Sequence, residues 1–479
     1  MNTLIMKFGG TSVGSVKAHR QTAEIVLEGK RAWDRLVVVV SAMSGVTDLL
    51  IEGARTASQG DGQTYQGIVA DLRAQHYHLV SELLDARADQ TDLQDSIDPY
   101  LDDFAVFCNS IHVLGELTPR ALDTISSFGE RINARIMAAF LRQGGVDSEA
   151  VDSTKLIITD EKYQNAVPLM DLTRKHVEDV LVPLLERGCV PVVTGFMAAT
   201  EKGITTTLGR GGSDFSASIL GVCLDASEVW IWTDVDGVMT TDPKIVPEAK
   251  SLPLLSYNEV SELAYFGAKV VHPRTIQPVI EGGIPLRVKN TNHPAHPGTL
   301  IVQKPELVKS TIKAVTLIEG LSMVNVEGRG MMGIPGIAAR TFAAVASQGA
   351  SVLMITQASS EQSISFLLPM ETVESVLHAL QEEMGLELAR KDIEKIWSKD
   401  NVVIVTAVGA GIRETPGVGA RIFGALAEGA INVIAVAQGS SECSISLAVE
   451  AKDGDRAVRQ IHKAILLDSG EYLNESVEV

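Results

Sequence analysis

A short pattern occurs twice in the last third of the chain. Gly328-Arg329-Gly330 followed by Pro335-Gly336-Ile337-Ala338-Ala339-Arg340-Thr341-Phe342 returns 81 residues later as Gly409-Ala410-Gly411 and Pro416-Gly417-Val418-Gly419-Ala420-Arg421-Ile422-Phe423. The same offset carries Gln357-Ala358-Ser359-Ser360-Glu361 onto Gln438-Gly439-Ser440-Ser441-Glu442. A gapless echo of this length marks two copies of one unit, and two copies are too few to stack into a solenoid. Each copy reads strand, glycine-rich loop, helix, strand, strand, helix, so paired sensor-like modules are expected at residues 306–395 and 396–479.

Residues 1–305 read differently. Apolar, β-branched runs at 4–8, 36–40, 190–193, 228–232 and 286–288 alternate with helical patterns, which predicts an α/β domain with a sheet covered on both faces. A polar, helix-patterned stretch at about 61–115 reads as an insertion beside the site. The chain has 479 residues with 45% hydrophobic and 21% charged, a globular composition long enough for sizeable cores. Its 41 basic residues face 60 acidic ones, net −19, which argues against a nucleic-acid partner but leaves room for an anionic small substrate held by a few local cations. No apolar run reaches bilayer length and no leader pattern opens the chain, so no membrane partner and a cytoplasmic location are expected. Four scattered cysteines read as buried thiols of a reducing compartment.

Three segments carry chemistry. Lys7-Phe8-Gly9-Gly10-Thr11-Ser12 puts a lysine at a strand end and paired glycines before a helix, where backbone N–H groups can meet phosphate oxygens. It is not a P-loop, since Ser15 stands where the lysine would follow. Thr205-Thr206-Thr207-Leu208-Gly209-Arg210-Gly211-Gly212-Ser213-Asp214 makes a second anion-ready turn, with Arg210 able to grip a carboxylate in two places. Ile231-Trp232-Thr233-Asp234 runs a strand straight into acidic and hydroxyl residues, as at the strand ends that bind nucleotides. Each segment taken alone is also compatible with an ordinary turn. Ser41, Thr47 and the Phe128-Gly129-Glu130-Arg131 cluster add hydroxyls and a carboxylate. The histidines His76, His78, His112 and His272 form no ligand set, so no protein-held metal is expected.

Taken together with Phe266-Gly267-Ala268-Lys269-Val270-Val271-His272-Pro273, these motifs resemble the aspartate kinases, and the repeats resemble the tandem ACT modules of that family. The resemblance covers essentially the whole chain. It implies a three-layer αβα amino-acid kinase domain followed by two ferredoxin-like βαββαβ ACT modules, whose segments can interleave along the chain in this family, without the homoserine dehydrogenase fused in bifunctional members. The implied reaction moves a phosphoryl group from MgATP to the β-carboxylate of L-aspartate, the first step of aspartate-family amino-acid biosynthesis.

The resemblance also implies roles. Lys7 and Asp214 are the catalytic pair, with Lys7 on the transferring phosphoryl group and Asp214 holding the lysine. Ser41, Thr47, Glu130, Arg210, Gly211, Gly212 and Ser213 surround aspartate, Arg210 on its α-carboxylate and Glu130 on its α-ammonium. Lys7, Gly9, Gly10, Thr233, Asp234, Met239, Lys244 and Lys269 fall on the ATP side. Many family members carry tyrosine in place of Met239 and arginine in place of Lys244. Gln357, Ser360, Glu361 and Gln438 are effector contacts for a feedback amino acid, threonine or lysine. Pairing of ACT modules implies a homodimer or dimer of dimers. A glutamate or N-acetylglutamate kinase would share the lysine-glycine start but lack the repeats. A non-catalytic amino-acid sensor would not need the full charged set.

Overall fold

A computed structural model describes residues 1–268, 271, 273–303, 311–358, 360–412, 415–438 and 443–468. The chain forms two compact units, and neither is continuous in sequence. The first comprises Met1–Val238, Ser251–Tyr257 and Val270–Pro305; the second comprises Met239–Lys250, Asn258–Lys269 and Glu306–Val479.

The first unit is built on an eight-stranded sheet ordered Ser148–Val151, Val190–Thr194, Arg35–Val40, Thr3–Phe8, Glu228–Thr233, Leu286–Asn290, Thr299–Val302, Leu254–Ser256. The strands flanking Thr3–Phe8 run parallel to it. All six residues of Thr3–Phe8 are buried, as a parallel strand with helices on both faces requires. Alternation assigns the faces. Leu4, Met6 and Phe8 pack with the helices Val16–Ala32 and Phe128–Gln143. Ile5 faces the other way, toward the helix Gly212–Cys223, where Gly221 lies close to its side chain. Lys7 shares the parity of Ile5, so its ammonium is aimed at the N-terminal end of that helix.

The apolar stripes of Val46–Ser58, Gly62–Leu83 and Arg87–Leu114 meet in a separate core that includes Leu50, Leu72, Ile97 and Phe104. A small sheet of Ile158–Thr159, Met197–Thr200 and Thr205–Thr207 leads into the Arg210 turn.

The second unit carries a six-stranded antiparallel sheet ordered Met354–Gln357, Ser363–Pro369, Ala314–Glu327, Lys395–Val408, Ser444–Glu450, Ala435–Ala437. Its two central strands are 14 residues long and belong to both repeats. The leading part of Ala314–Glu327 pairs with the trailing part of Lys395–Val408 (Ala314 opposite Val408), and the reverse holds at the other end (Glu327 opposite Lys395). Each repeat thus lends its first half-strand to the other. Val315 lies in the core of the second copy, with Val418 and Ile422, while Ile393 and Val326 lie in the core of the first with Ile337. The repeated glycines mark these crossings: a Cβ on Gly328 would stand 2.1 Å from the Asp392 carbonyl oxygen, and one on Gly409 would stand 2.2 Å from that of Thr311.

The two earlier segments of this unit are held by polar contacts. Val315 N–H donates to the Thr240 carbonyl (2.8 Å), and the Thr240 hydroxyl meets His462 Nε2 at 2.8 Å. Glu259 pairs with Lys313 and accepts from the Ala410 N–H, and the Ser444 hydroxyl donates to Glu262.

Candidate active site

A cleft of about 620 Å³ opens over the C-terminal ends of the central strands in the first unit, within the size range of small-ligand sites. Lys7, Gly10, Ser41, Thr47, Glu130, Arg210, Gly211, Gly212, Ser213 and Asp214 all line it. Residues as far apart in sequence as Lys7 and Asp214 therefore converge on one surface.

Lys7 Nζ sits 2.6 Å from Asp214 Oδ1, with the two side chains 11% and 16% exposed. Asp214 lies in the first turn of Gly212–Cys223, where the helix dipole favours a carboxylate. The turn before it needs glycine twice, at Gly209 (φ +79°) and Gly211 (φ +72°). That turn leaves Arg210 exposed on the cleft wall and, among the described residues, in no ion pair. On the opposite wall, Gly129 lets the helix Phe128–Gln143 press onto the Ser41–Gly45 loop, since a Cβ there would stand 2.7 Å from the Ala42 methyl. The next residue, Glu130, is therefore 3% exposed. Its Oε2 has no hydrogen-bond partner among the described residues. Burial pushes its carboxyl up to about 8, against the pull of the Ala42 backbone and of Lys7.

The cleft thus offers a paired lysine, an uncommitted guanidinium and a buried carboxylate short of a partner. Such a set suits a zwitterion carrying a further anionic group.

The remaining expected residues are distributed as follows. Gly9 donates its N–H to the Trp232 carbonyl (3.3 Å), next to Thr233, whose hydroxyl meets Asp234 Oδ1 at 3.1 Å. Met239 and Lys244 lie on the Met239–Lys250 segment of the second unit, where the Lys244 N–H donates to Asp242 Oδ1 and its side chain is exposed. Lys269 lies outside the described residues, as do Val270, His272, Ser359 and residues 439–442. Among the described residues no group of three or more His, Cys, Asp or Glu side chains is gathered as a metal cage, and no helix is long and apolar enough to cross a membrane.

A second cavity, of about 340 Å³, lies in the first repeat. Gln357 and Glu361 line it with Met331, Ile334, Ile337 and Ile364. Glu361 Oε2 accepts from the Gly333 N–H at 3.1 Å. Ser360 and Gln438 are exposed and do not line this cavity.

The motifs gave no sign of Asp48, Arg55, Asp123, Gln164 and Phe196, which also line the first cleft. Asp48 and Arg55 lie on the helix Val46–Ser58, one and eight positions after Thr47, so the inward face of that helix was the available signal. Asp123 and Gln164 had none.

Residues 2–290 match the amino acid kinase family, and residues 324–384 and 405–465 match the ACT domain. The chain is 33% identical to the chloroplastic aspartokinase 1 of Arabidopsis thaliana, over 98% of this chain and 81% of that protein. It is 36% identical to a chloroplastic bifunctional aspartokinase/homoserine dehydrogenase 2 from the same plant, over 97% of this chain, and spans only 50% of that relative's length. Among solved structures, Escherichia coli aspartokinase III in complex with aspartate and ADP superposes with a TM-score of 0.79 at 28% identity, covering 97% of this chain and 99% of that one. The aspartate kinase of Clostridium acetobutylicum gives 0.81 at 26%, covering 96% and 100%. With its cleft on an αβα sheet and its paired repeats, the chain belongs to the amino acid kinase family and, within it, to the aspartokinases carrying ACT domains.

Proposed function

We propose that this chain is an aspartate kinase, transferring the γ-phosphoryl group of MgATP to the β-carboxylate of L-aspartate to give 4-phospho-L-aspartate. The observation that carries this reading is the combination, in one cleft, of the Lys7–Asp214 pair, the exposed Arg210 and the buried, half-unpartnered Glu130. Arg210 takes the α-carboxylate in a bidentate grip and Glu130 the α-ammonium, leaving the β-carboxylate directed at Lys7. Ser41 and Thr47 supply hydroxyls, and the Gly211–Ser213 backbone supplies N–H groups at a helix start.

The nucleophile is already ionised near neutral pH and needs no general base. The protein's task is to hold two anions together and neutralise the charge that develops as the phosphoryl group moves. Lys7 does this from 2.6 Å beside Asp214, which fixes the ammonium in place. Gly9 and Gly10, with Thr233 and Asp234, form the nucleotide side. Met239, Lys244 and Lys269 keep the nucleotide contacts that the family resemblance implies, and Mg²⁺ arrives with the nucleotide as part of the substrate.

The 340 Å³ cavity around Gln357 and Glu361 supports feedback control by an end-product amino acid, threonine or lysine. Ser360 and Gln438 belong to the same proposed control region. A second structure of the Escherichia coli relative contains lysine with aspartate. The enzyme pairs through its ACT modules as a homodimer or dimer of dimers and works in the cytoplasm, where the buried thiols of Cys108, Cys189 and Cys223 stay reduced.

The test traps the acyl phosphate as its hydroxamate, with glutamate and N-acetylglutamate as alternative substrates and threonine and lysine titrated separately. Product from aspartate alone is expected, suppressed by one of the two amino acids. Folded, ATP-binding protein that makes no product would overturn the reading.

A further inference from the structure

Asp123 is 1% exposed, lines the cleft, and is used by no step above. Both of its oxygens are committed. Oδ2 accepts from the N–H groups of Gln164 (2.9 Å) and Thr207 (3.1 Å), and Oδ1 accepts from the Thr207 hydroxyl (2.8 Å). Gln164 is held in the left-handed region at φ +65°, a conformation a non-glycine residue keeps only when its surroundings enforce it. The next two residues continue the clamp: the Ala166 N–H donates to the Thr207 carbonyl (2.9 Å), and Arg274 bonds Asn165 Oδ1. Gly209 leaves so little room above this loop that a Cβ there would lie 2.9 Å from Asn165 Oδ1 and 3.0 Å from the Gln164 carbonyl oxygen. Two residues beyond Thr207 the Gly209–Gly212 turn begins, closed by the Gly212 N–H on the Gly209 carbonyl (2.9 Å), with Arg210 at its tip.

We infer that Asp123 is a positioning residue for aspartate recognition: its buried carboxylate locks the 164–166 loop to the end of Thr205–Thr207, and that lock sets the turn which presents Arg210 to the substrate. The inference rests on the proposed function for the identity of the substrate, but the mechanical link does not. A surface arginine loses rotamer freedom when it grips an anion, and a turn fixed at its base reduces what remains to be ordered. The side chain chosen for the lock fits the three donors it meets. An acceptor-only group satisfies two N–H groups and a hydroxyl at once, whereas Asn would set an N–H against one of them.

Asp123→Asn is expected to raise the KM for aspartate roughly 10- to 100-fold, the cost of a lost charged hydrogen bond in this setting, while kcat and the KM for ATP hold within about twofold. Thr207→Val removes only the hydroxyl and should give a smaller shift in the same direction. In an Arg210→Ala background, Asp123→Asn should add little to the aspartate KM, because both changes remove one function. Hydrogen exchange on the unliganded protein gives a readout independent of turnover: peptides spanning 164–166 and 205–212 should exchange faster in Asp123→Asn, with the rest of the chain unchanged.

Equal losses toward ATP and aspartate, full additivity with Arg210→Ala, or unchanged exchange in 205–212 would each overturn the assignment. Should Asp123→Asn fail to fold, the same readouts on Thr207→Val decide. If the wild-type protein makes no aspartyl phosphate, the enzyme reading has failed, and the exchange comparison still decides whether Asp123 fixes the turn.

Discussion

Glu259 and Lys313 form an ion pair at 2.9 Å with side chains 0% and 5% exposed, joining a helix from the middle of the sequence to the approach of the central regulatory strand Ala314–Glu327. The other Glu259 oxygen accepts from the Ala410 N–H at 2.7 Å, so one carboxylate gathers both repeats. Removing one member of a buried pair leaves an uncompensated charge. Lys313→Ala should therefore destabilise the protein by about 3–5 kcal/mol, seen as a drop in the denaturant midpoint. A change below about 1 kcal/mol, the range of exposed pairs, would show that the pair is not buried in solution.

Lys7 draws its ammonium directly to the helix that carries Asp214, at 2.6 Å. Lys7→Ala should lower kcat by roughly 10²–10³-fold, the usual cost of removing one preorganised charge at a transition state, without shifting the melting curve by more than a few degrees. Steady-state kinetics and calorimetry check the two halves separately. Near-normal turnover would remove Lys7 from the chemistry.

If Glu130 receives the α-ammonium as proposed, aspartate binding should be coupled to proton release. Its carboxyl lies near 8 in the unliganded cleft against an ordinary 4.5, chiefly through burial. Between those values the folded protein holds a proton that the unfolded chain has released, so stability falls as pH rises through the window. An incoming ammonium favours the ionised form and should expel that proton. Titration calorimetry of aspartate near pH 7, in buffers of different ionisation enthalpy, should show proton release by the wild type and none by Glu130→Gln. Equal release by both proteins would place the titrating group elsewhere.

His19 and His76 impose the opposite slope in acid. Both are fully buried, and desolvation depresses both imidazoles below the ordinary 6.5. Below pH 6.5 the unfolded chain binds protons that these two folded residues refuse, so this contribution to stability is lost as pH falls. His19 also meets Asn133 Oδ1 at 2.8 Å, and Asn133 Nδ2 donates to the Ser41 carbonyl at 2.6 Å, so its charging disturbs a cleft loop. Among the described residues His76 has no partner at Nε2. Urea midpoints measured from pH 7 to pH 5 should fall less steeply for His76→Leu than for the wild type; parallel profiles would contradict this.

The first-repeat cavity yields a prediction by position. Gln357→Ala should raise the concentration of effector needed for half-inhibition by roughly tenfold, whereas Ser360→Ala, exposed and outside the lining, should change it little. Inhibition curves with the responding amino acid decide. Equal effects would move the effector off this wall.

What could be read from the sequence was whatever lies in consecutive residues. The strand-to-turn segments at Lys7 and Arg210 and the Phe128–Glu130 cluster announce themselves because each packs its glycines and its charge into a few positions, and those residues line one cleft. Asp123 carries no such mark: its role comes from backbone N–H groups forty-one and eighty-four positions away, brought to it by the small sheet. Met239 and Lys244 sit between kinase-like motifs in sequence yet belong to the C-terminal unit, since hydrogen bonding at Thr240 decides where that segment docks. The 81-residue echo revealed two repeats but not their exchange of half-strands, because identical patterns cannot say which copy pairs with which.

That exchange has a consequence for the order in which the molecule is made. While the first repeat emerges from the ribosome, one of the two neighbours of its Met323–Glu327 half-strand, Lys395–Lys399, is still unsynthesised, and Ala314–Ile318 awaits a partner at Ile404–Val408. Neither half of the regulatory sheet can finish alone, and the long loop between them must close first. Regulation is thus the last part of the protein to come into being, arriving as a single event rather than as two.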